Sequence, residues 1–334
     1  MINAVESQPT PGRRVAVTIL ADLLAFRQAA IALVAVGLFV FFSLSTPYFF
    51  TFDNVVEILR SVAFITIVGV GITYLFIAGE IDLSVGSVYG FASIFLGWLL
   101  VSHDLNIWLS AVLTLAACTV VGAMNGIVTT VIGVPSFIVT LGAFSLWRGI
   151  ALVMSGAFPI TYPDSLHSSF FTIANGEIGG MPASIFWMVG ITIGGAVILK
   201  YTRFGYHIYA SGGNPRASRA AGINTVWVKI RCFMIVSFLC GFVALLAGGW
   251  IRTADPSTGN GFELQVIGAA IIGGVALTGG DGSVFGTFIG ALILGIMANG
   301  LVLAGVQGNY NQVLIGIIIV AVAMLELLAR RIPN

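Results

Sequence analysis

Long apolar runs follow one another along most of the chain. Each approaches the roughly 20 mostly apolar residues that a helix needs to cross a bilayer, and none alternates apolar with polar positions as barrel strands do. Ten such runs can be read from the sequence. They lie near residues 28–46, 56–78, 84–101, 107–131, 135–155, 183–200, 229–250, 264–279, 283–304 and 311–329. The pattern predicts an all-α polytopic membrane protein with about ten transmembrane helices.

Composition supports the same interpretation. Of the 334 residues, 58% are hydrophobic and only 8% are charged, whereas a soluble domain is about 25% charged. The 42 glycines are typical of membrane helices, because small residues let helix backbones approach closely. The 14 basic and 13 acidic residues nearly balance, so the overall charge gives no reason to expect nucleic acid as a partner. Membrane lipid is therefore the expected surroundings of the chain.

The basic residues are concentrated in three regions, which hold eleven of the 14 lysines and arginines. A model with ten spans places all three regions on one side, which the positive-inside rule makes the cytoplasm. Both termini are then cytoplasmic. The regions are the N-terminal flank (Arg13, Arg14, Arg27), the segment between the sixth and seventh spans (Lys200, Arg203, Arg216, Arg219, Lys229, Arg231), and the tail (Arg330, Arg331).

These features divide the chain into three parts. Residues 1–27 form a cytoplasmic tail, in which 15–26 could make a short helix on the inner membrane surface. Residues 28–329 form a single transmembrane domain, with a cytoplasmic loop at 200–228. Residues 330–334 form a second cytoplasmic tail.

Few polar residues fall within or beside the spans. Five are candidates to line a translocation path: Asp82, Ser84, Asn125, Gln265 and Asn299. The glycine-containing turn after the second span has two interpretations. Either Asp82 or Ser84 caps the third helix in cytoplasmic water, or the turn dips inward and bounds a polar channel. Arg148 lies in the outer half of the fifth span, where its long side chain is expected to reach toward the surface.

The basic loop contains the start and stop signals of a short helix. Asn214 can accept hydrogen bonds from free backbone amides at a helix N-terminus, Pro215 suits the first helical position, and Gly222 provides a stop. A helix of about seven residues does not persist alone in water, so it must pack against a membrane helix or a cytoplasmic partner. Arg216 and Arg219 are three residues apart and lie on one face.

At these residues the sequence resembles the membrane subunit of bacterial ATP-binding-cassette importers for ribose, xylose and galactosides. The resemblance extends over roughly residues 30–328. It rests on IDLSVGS at 81–87, GVPSFIVTLG at 133–142, TRFGYHIYASGGNPRASRAAGI at 202–223, GFELQVIGAAIIGG at 261–274, GSVFGTFIGALILG at 282–295 and NGLVLAGV at 299–306. The chain departs from the family pattern at Gln265, where aspartate is usual, and at Glu80, where glycine is commoner.

The resemblance implies a cytoplasmic ATPase subunit, a periplasmic or extracellular sugar-binding protein, and a second permease subunit that is identical or different. It also implies a coupling helix that contacts the ATPase and a place in the bacterial inner (cell) membrane. We expect the binding protein to dock on the outer loops, where Arg252, Asp255 and Glu263 are candidates for contact. The coupling residues would be Gly205, Gly212, Gly213, Asn214, Pro215, Arg216, Arg219 and Gly222.

The chain itself is expected to be neither an enzyme nor a cofactor or metal protein. Its two lysines, Lys200 and Lys229, stand outside any glycine-rich Gly-Lys-Ser/Thr loop that could hold ATP. The three histidines have no metal-ligand spacing. Three alternatives remain: a free-standing secondary carrier, a permease of the same class for amino acids or nucleosides, and, least favoured, an intramembrane enzyme. A carrier normally needs an ionisable group deep in its bundle, and no such group is evident.

Overall fold

The computed structural model describes residues 27–163, 169–308 and 310–329. The predicted surface helix at 15–26 and the tail at 330–334 lie outside this part of the chain. The described residues are mostly helical. The helices are α1 (Arg27–Ser45), α2 (Phe52–Ile77), α3 (Val85–Gly97), α4 (Ile107–Ile127), α5 (Ser136–Ser155), α6 (Ser169–Asn175), α7 (Ala183–Tyr201), α8 (Arg203–Gly213), α9 (Pro215–Ala220), α10 (Thr225–Ile251), α11 (Phe262–Ile272), α12 (Val284–Leu303) and α13 (Tyr310–Ala329).

Seven helices in the described part of the chain are long and apolar enough to cross a membrane. They are α2, α5, α7, α10, α12, α3 extended by a π-helical turn at Trp98–Ser102, and α4 extended by another at Val128–Ile132. Three shorter apolar stretches fall in α1, α11 and α13. The chain is thus an all-helical membrane protein.

The eighth apolar run was predicted over 264–279, but its helix, α11, ends at Ile272. The prediction is therefore wrong for residues 273–279. The cause is close packing: a Cβ atom at Gly273 would overlap the backbone of Gly286 near the start of α12. Gly274 then takes a φ of +86°, a left-handed conformation that glycine adopts without strain. Non-helical chain continues from here to α12.

The core is centred on α10, which packs on α2, α3 and α4. Small residues permit this packing: a Cβ at Gly122 would lie 2.8 Å from Met234 Cα, and one at Gly126 would lie 2.8 Å from Ile230 Cα. Close backbone approach of this kind replaces the hydrophobic driving force that is missing between helices in lipid.

The connections gather at two ends of the bundle. At one end lie α8 and α9, the turn 78–84 and the loop 273–283. At the opposite end, β1 (Ile160–Thr161) pairs antiparallel with β4 (Thr253–Ala254), with Ile160 opposite Ala254. A second small hairpin joins β2 (Glu177–Ile178) to β3 (Met181–Pro182).

Candidate functional site

The basic loop folds into two helices joined at Asn214. The Asn214 side chain accepts a hydrogen bond from the Ala217 amide at 3.0 Å, which caps α9. Pro215 is the first residue of α9, and Gly222 has a φ of +85°. The helix predicted after Asn214 is thus confirmed. Sequence reasoning missed α8, although Thr202 gives a signal for it, since its hydroxyl accepts from the Gly205 amide at 3.2 Å.

Glycines from three parts of the chain meet where α8 ends. The Gly280 amide donates to the Ile77 carbonyl at 2.8 Å, which joins the loop 273–283 to the end of α2. Gly212 packs so closely against the same carbonyl that a Cβ there would overlap it. We call this contact the glycine junction; its members are Gly79, Gly212, Gly213, Gly279 and Gly280.

Two side-chain contacts fix α8 and α10 to the same two connections. The Tyr209 hydroxyl donates to the Gly282 carbonyl at 2.7 Å. Burial, and secondarily Asp281, raise the pKa of Tyr209, so the phenol keeps the proton that it donates. Near the start of α10, Lys229 forms an ion pair with Glu80 at 2.6 Å. The glutamate that departs from the family pattern therefore contacts the basic segment.

The turn 78–84 buries a polar cluster formed by Asp82, Ser84 and Asn125. Asp82 is only 1% exposed, and its Oδ1 accepts from the Ser84 amide at 2.7 Å and from the Ser84 hydroxyl at 2.5 Å. Asn125 Nδ2 donates to Ser84 Oγ at 3.1 Å. Asp82 Oδ2 has no hydrogen-bond partner among the described residues. The capping interpretation is wrong for Ser84, because its side chain makes no capping hydrogen bond to α3. The turn lies inside protein rather than in cytoplasmic water.

The other two predicted path residues lie elsewhere. Asn299 on α12 exchanges two side-chain hydrogen bonds with Asn54 on α2, at 3.0 and 2.8 Å. Gln265 is half-buried on α11. The structure thus brings three of the five predicted path residues together and leaves Asn299 in a separate amide pair.

Arg148 links the start of α3 to the segment after β4. Its guanidinium donates to the carbonyls of Pro256, of Thr258 at 2.9 Å and of Gly86 at 3.4 Å. A Cβ at Gly90 would lie 2.7 Å from Arg148 Nη1. The expectation that Arg148 reaches toward the surface is wrong, because these carbonyls and the small glycine hold it half-buried between α3 and the segment after β4.

The three predicted docking residues have different surroundings. The Arg252 guanidinium stacks 4.3 Å from the centre of the Phe171 ring. Asp255 accepts from the amide and the hydroxyl of Ser257, at 2.7 and 2.5 Å, and so stabilises its own turn. Glu263 packs against Gly86 of α3. Arg252 and Asp255 are partly exposed at the end of the bundle that carries β1 and β4. The Glu263 carboxylate, in contrast, lies against α3.

Both a family model and individual known proteins match this chain over most of its length. A family model described as a branched-chain amino acid transport system / permease component matches residues 54–323. The ribose import permease protein RbsC of Haemophilus influenzae is 36% identical over 85% of this chain and 87% of its own length. The xylose/arabinose import permease protein XylH of Sulfolobus acidocaldarius is 30% identical over 90% of this chain and 84% of its own. No solved structure matches the chain.

Proposed function

The chain belongs to the family of branched-chain amino acid transport system permease components, and from this premise we propose that it is the membrane-spanning subunit of an ATP-binding-cassette importer. It forms the translocation path for a sugar that an external binding protein delivers. The energy comes from a separate cytoplasmic ATPase. The observation that carries the proposal is the contact of α8 with both non-helical connections at one end of the bundle, through the Gly280 amide, the Ile77 carbonyl and Gly212.

The proposed topology has ten spans and cytoplasmic termini. The seven long helices and the three shorter apolar stretches in α1, α11 and α13 support this count. The end that carries α8 and α9 is cytoplasmic, because it holds the basic segment. Successive spans then alternate in direction, which agrees with the meeting of turn 78–84 and loop 273–283 at that end.

The proposed mechanism starts at α9, which contacts the ATPase with Arg216 and Arg219 on one face. Closure of the ATPase pair pushes α9. Movement passes to α8 through Asn214, where the two helices join, and through a hydrogen bond from Ser218 Oγ to the Ala210 carbonyl at 2.6 Å. The glycine junction then shifts turn 78–84 and loop 273–283 together, because Gly212 touches both.

The path is proposed to lie near the buried Asp82, Ser84 and Asn125 cluster and to be completed by a second permease subunit. Gln265 and Asn299 are further candidates along it. At the opposite end, Arg252 and Asp255 remain candidates to contact the binding protein. Glu263 is a candidate to position this rim, since it packs against α3.

The proposed solute is a pentose or a related sugar. RbsC and XylH are named as ribose and xylose/arabinose permeases, and both cover most of this chain. A neutral polyhydroxylated solute also agrees with the low charge of the spans, because a path for it needs hydrogen-bonding groups rather than fixed charges.

Solute class is tested by uptake into proteoliposomes that contain this chain, its ATPase and its second subunit, with binding protein outside. Labelled ribose, xylose and leucine are compared at equal concentration. We expect saturable, ATP-dependent uptake of a pentose and none of leucine. Leucine uptake without pentose uptake would assign the chain to the amino-acid branch and contradict the sugar proposal.

A further inference from the structure

Arg231 lines two neighbouring cavities. One lies between α4, α8 and α10, and the other lies between α8, residues 222–224 and the start of α10. The first has a volume of about 470 Å³, and its lining is apolar apart from Arg231 and Thr119. The second, of about 390 Å³, is more polar and lies next to the start of α10. Both are within the range of about 300–1,000 Å³ that small-molecule sites occupy. We call the two cavities together the Arg231 groove. The lining residues that bear on its ligand are Phe204, His207, Trp227, Arg231, Met234 and Phe238.

The groove changes character along one face of α10. Trp227, Arg231, Met234 and Phe238 follow one another at spacings of four, three and four residues, so they form a single stripe on the helix. The stripe begins aromatic, becomes cationic one turn later and is then apolar. This order matches a membrane interface followed by hydrocarbon.

Arg231 is an uncompensated charge at the point where the two cavities meet. It is exposed, and it makes no ion pair or side-chain hydrogen bond with the other described residues, in contrast to Lys229 two positions earlier, which pairs with Glu80. His207, which lines the polar cavity, and Arg203 are four residues apart on α8 and share a face. Among the described residues no Asp or Glu lines the polar cavity, so the fixed charge of its lining is the positive charge of Arg231.

The surroundings place this charge at the depth of lipid headgroups. Trp227, Tyr201 and Tyr206 are 55%, 73% and 68% exposed. Exposed Trp and Tyr collect where the bilayer meets water, because their rings are apolar at one end and polar at the other. Arg231 lies one helical turn further into the bundle than Trp227.

We propose that the Arg231 groove binds one anionic phospholipid of the inner leaflet. The phosphate sits at Arg231 in the polar cavity with His207 and Asn224 around it, and an acyl chain lies in the apolar cavity along Met234 and Phe238. Positive charge between membrane helices on the cytoplasmic side is the chemistry that recognises acidic headgroups. A free anion would leave the 470 Å³ apolar cavity unfilled. This inference goes beyond the transport function and is independent of the solute carried.

The test uses the full chain in detergent and native mass spectrometry. Phosphatidylglycerol and phosphatidylcholine with identical acyl chains are titrated separately into wild type and into Arg231→Gln. We expect wild type to bind phosphatidylglycerol more tightly, and Arg231→Gln to raise its apparent Kd about fivefold while phosphatidylcholine changes little. Arg216→Gln is the matched control, because it removes an exposed cation from α9 outside the groove, and it should leave both affinities unchanged.

Two further measurements separate other occupants. Met234→Trp fills the apolar cavity and should weaken both lipids alike, while excess inorganic phosphate should not displace bound phosphatidylglycerol. Equal binding of the two lipids by wild type, or an unchanged preference in Arg231→Gln, would overturn the proposal. Displacement by phosphate would show a soluble-anion site, and efficient Phe238→Cys disulfide cross-linking between two copies would show a subunit interface; either result would overturn it as well.

Discussion

Gly212→Ala should uncouple ATP hydrolysis from transport. The helix itself accepts alanine, because Gly212 lies within α8 and its φ is outside the left-handed region. The added methyl, however, overlaps the Ile77 carbonyl and would lie 2.8 Å from the Gly280 nitrogen. Both neighbours are backbone atoms and cannot rotate away, so α8 and the end of α2 must separate by on the order of 1 Å.

The magnitude follows from this overlap. Overpacking by one methyl group costs about 1–3 kcal/mol. If α8 moves away to relieve it, the strain disappears together with the contact that transmits movement to turn 78–84 and loop 273–283. A coupling free energy of 1–3 kcal/mol corresponds to about a 5–150-fold change. We therefore expect ATP-driven uptake to fall by at least fivefold while ATP hydrolysis by the assembled complex continues.

The assay measures solute uptake and ATP hydrolysis in the same proteoliposomes. Gly194→Ala is the control, because a Cβ there meets nothing within 4 Å on α7. Gly213→Ala is the informative comparison, since its added Cβ would lie no closer than 3.8 Å to a neighbouring atom, Gly280 Cα. This variant should lose much less uptake than Gly212→Ala. Equal coupling in Gly212→Ala and wild type, or equal losses in Gly212→Ala and Gly213→Ala, would refute the reasoning.

Three further contacts give quantitative predictions. Lys229→Met should lower the free energy of unfolding by about 1–3 kcal/mol, because it leaves the Glu80 carboxylate unpaired. The swapped pair, Glu80→Lys with Lys229→Glu, should recover part of the lost stability in thermal unfolding. An absence of recovery would contradict the pairing. Arg148→Met removes the donor to three carbonyls and should cost at least about 1.5 kcal/mol; hydrogen exchange after β4 should accelerate, and unchanged exchange would exclude the linking role. Asn54→Ala and Asn299→Ala should show a coupling of about 0.6 kcal/mol in a double-mutant cycle, whereas additive effects would show that the amide pair contributes nothing.

The apolar runs predicted the helices well, because a membrane span is decided by local composition. The run 183–200 corresponds to α7 at Ala183–Tyr201, and Asn214 with Pro215 marked the start of α9. The end of α11 at Ile272 was not predictable in this way. It depends on the approach of Gly273 to Gly286, which is a contact between two helices rather than a property of the run.

In the candidate site, too, the sequence predicts some features and only the fold determines the others. The Gly212–Gly213 pair stands out in the sequence as punctuation, but only the fold shows that Gly212 is closely packed and Gly213 is not. The direction of Arg148 also depends on partners far away in sequence, the carbonyls of Pro256 and Thr258. Residue types therefore predicted which segments matter, and tertiary contacts determine which atoms meet.

We propose that the chain is a gate that a separate ATPase drives through α8 and α9. The most direct measurement compares solute uptake by proteoliposomes with and without the ATPase subunit, with binding protein outside and either ATP or an imposed proton or sodium gradient as the only energy source. We expect uptake only when ATP and the ATPase are both present. Gradient-driven uptake by this chain alone would contradict it.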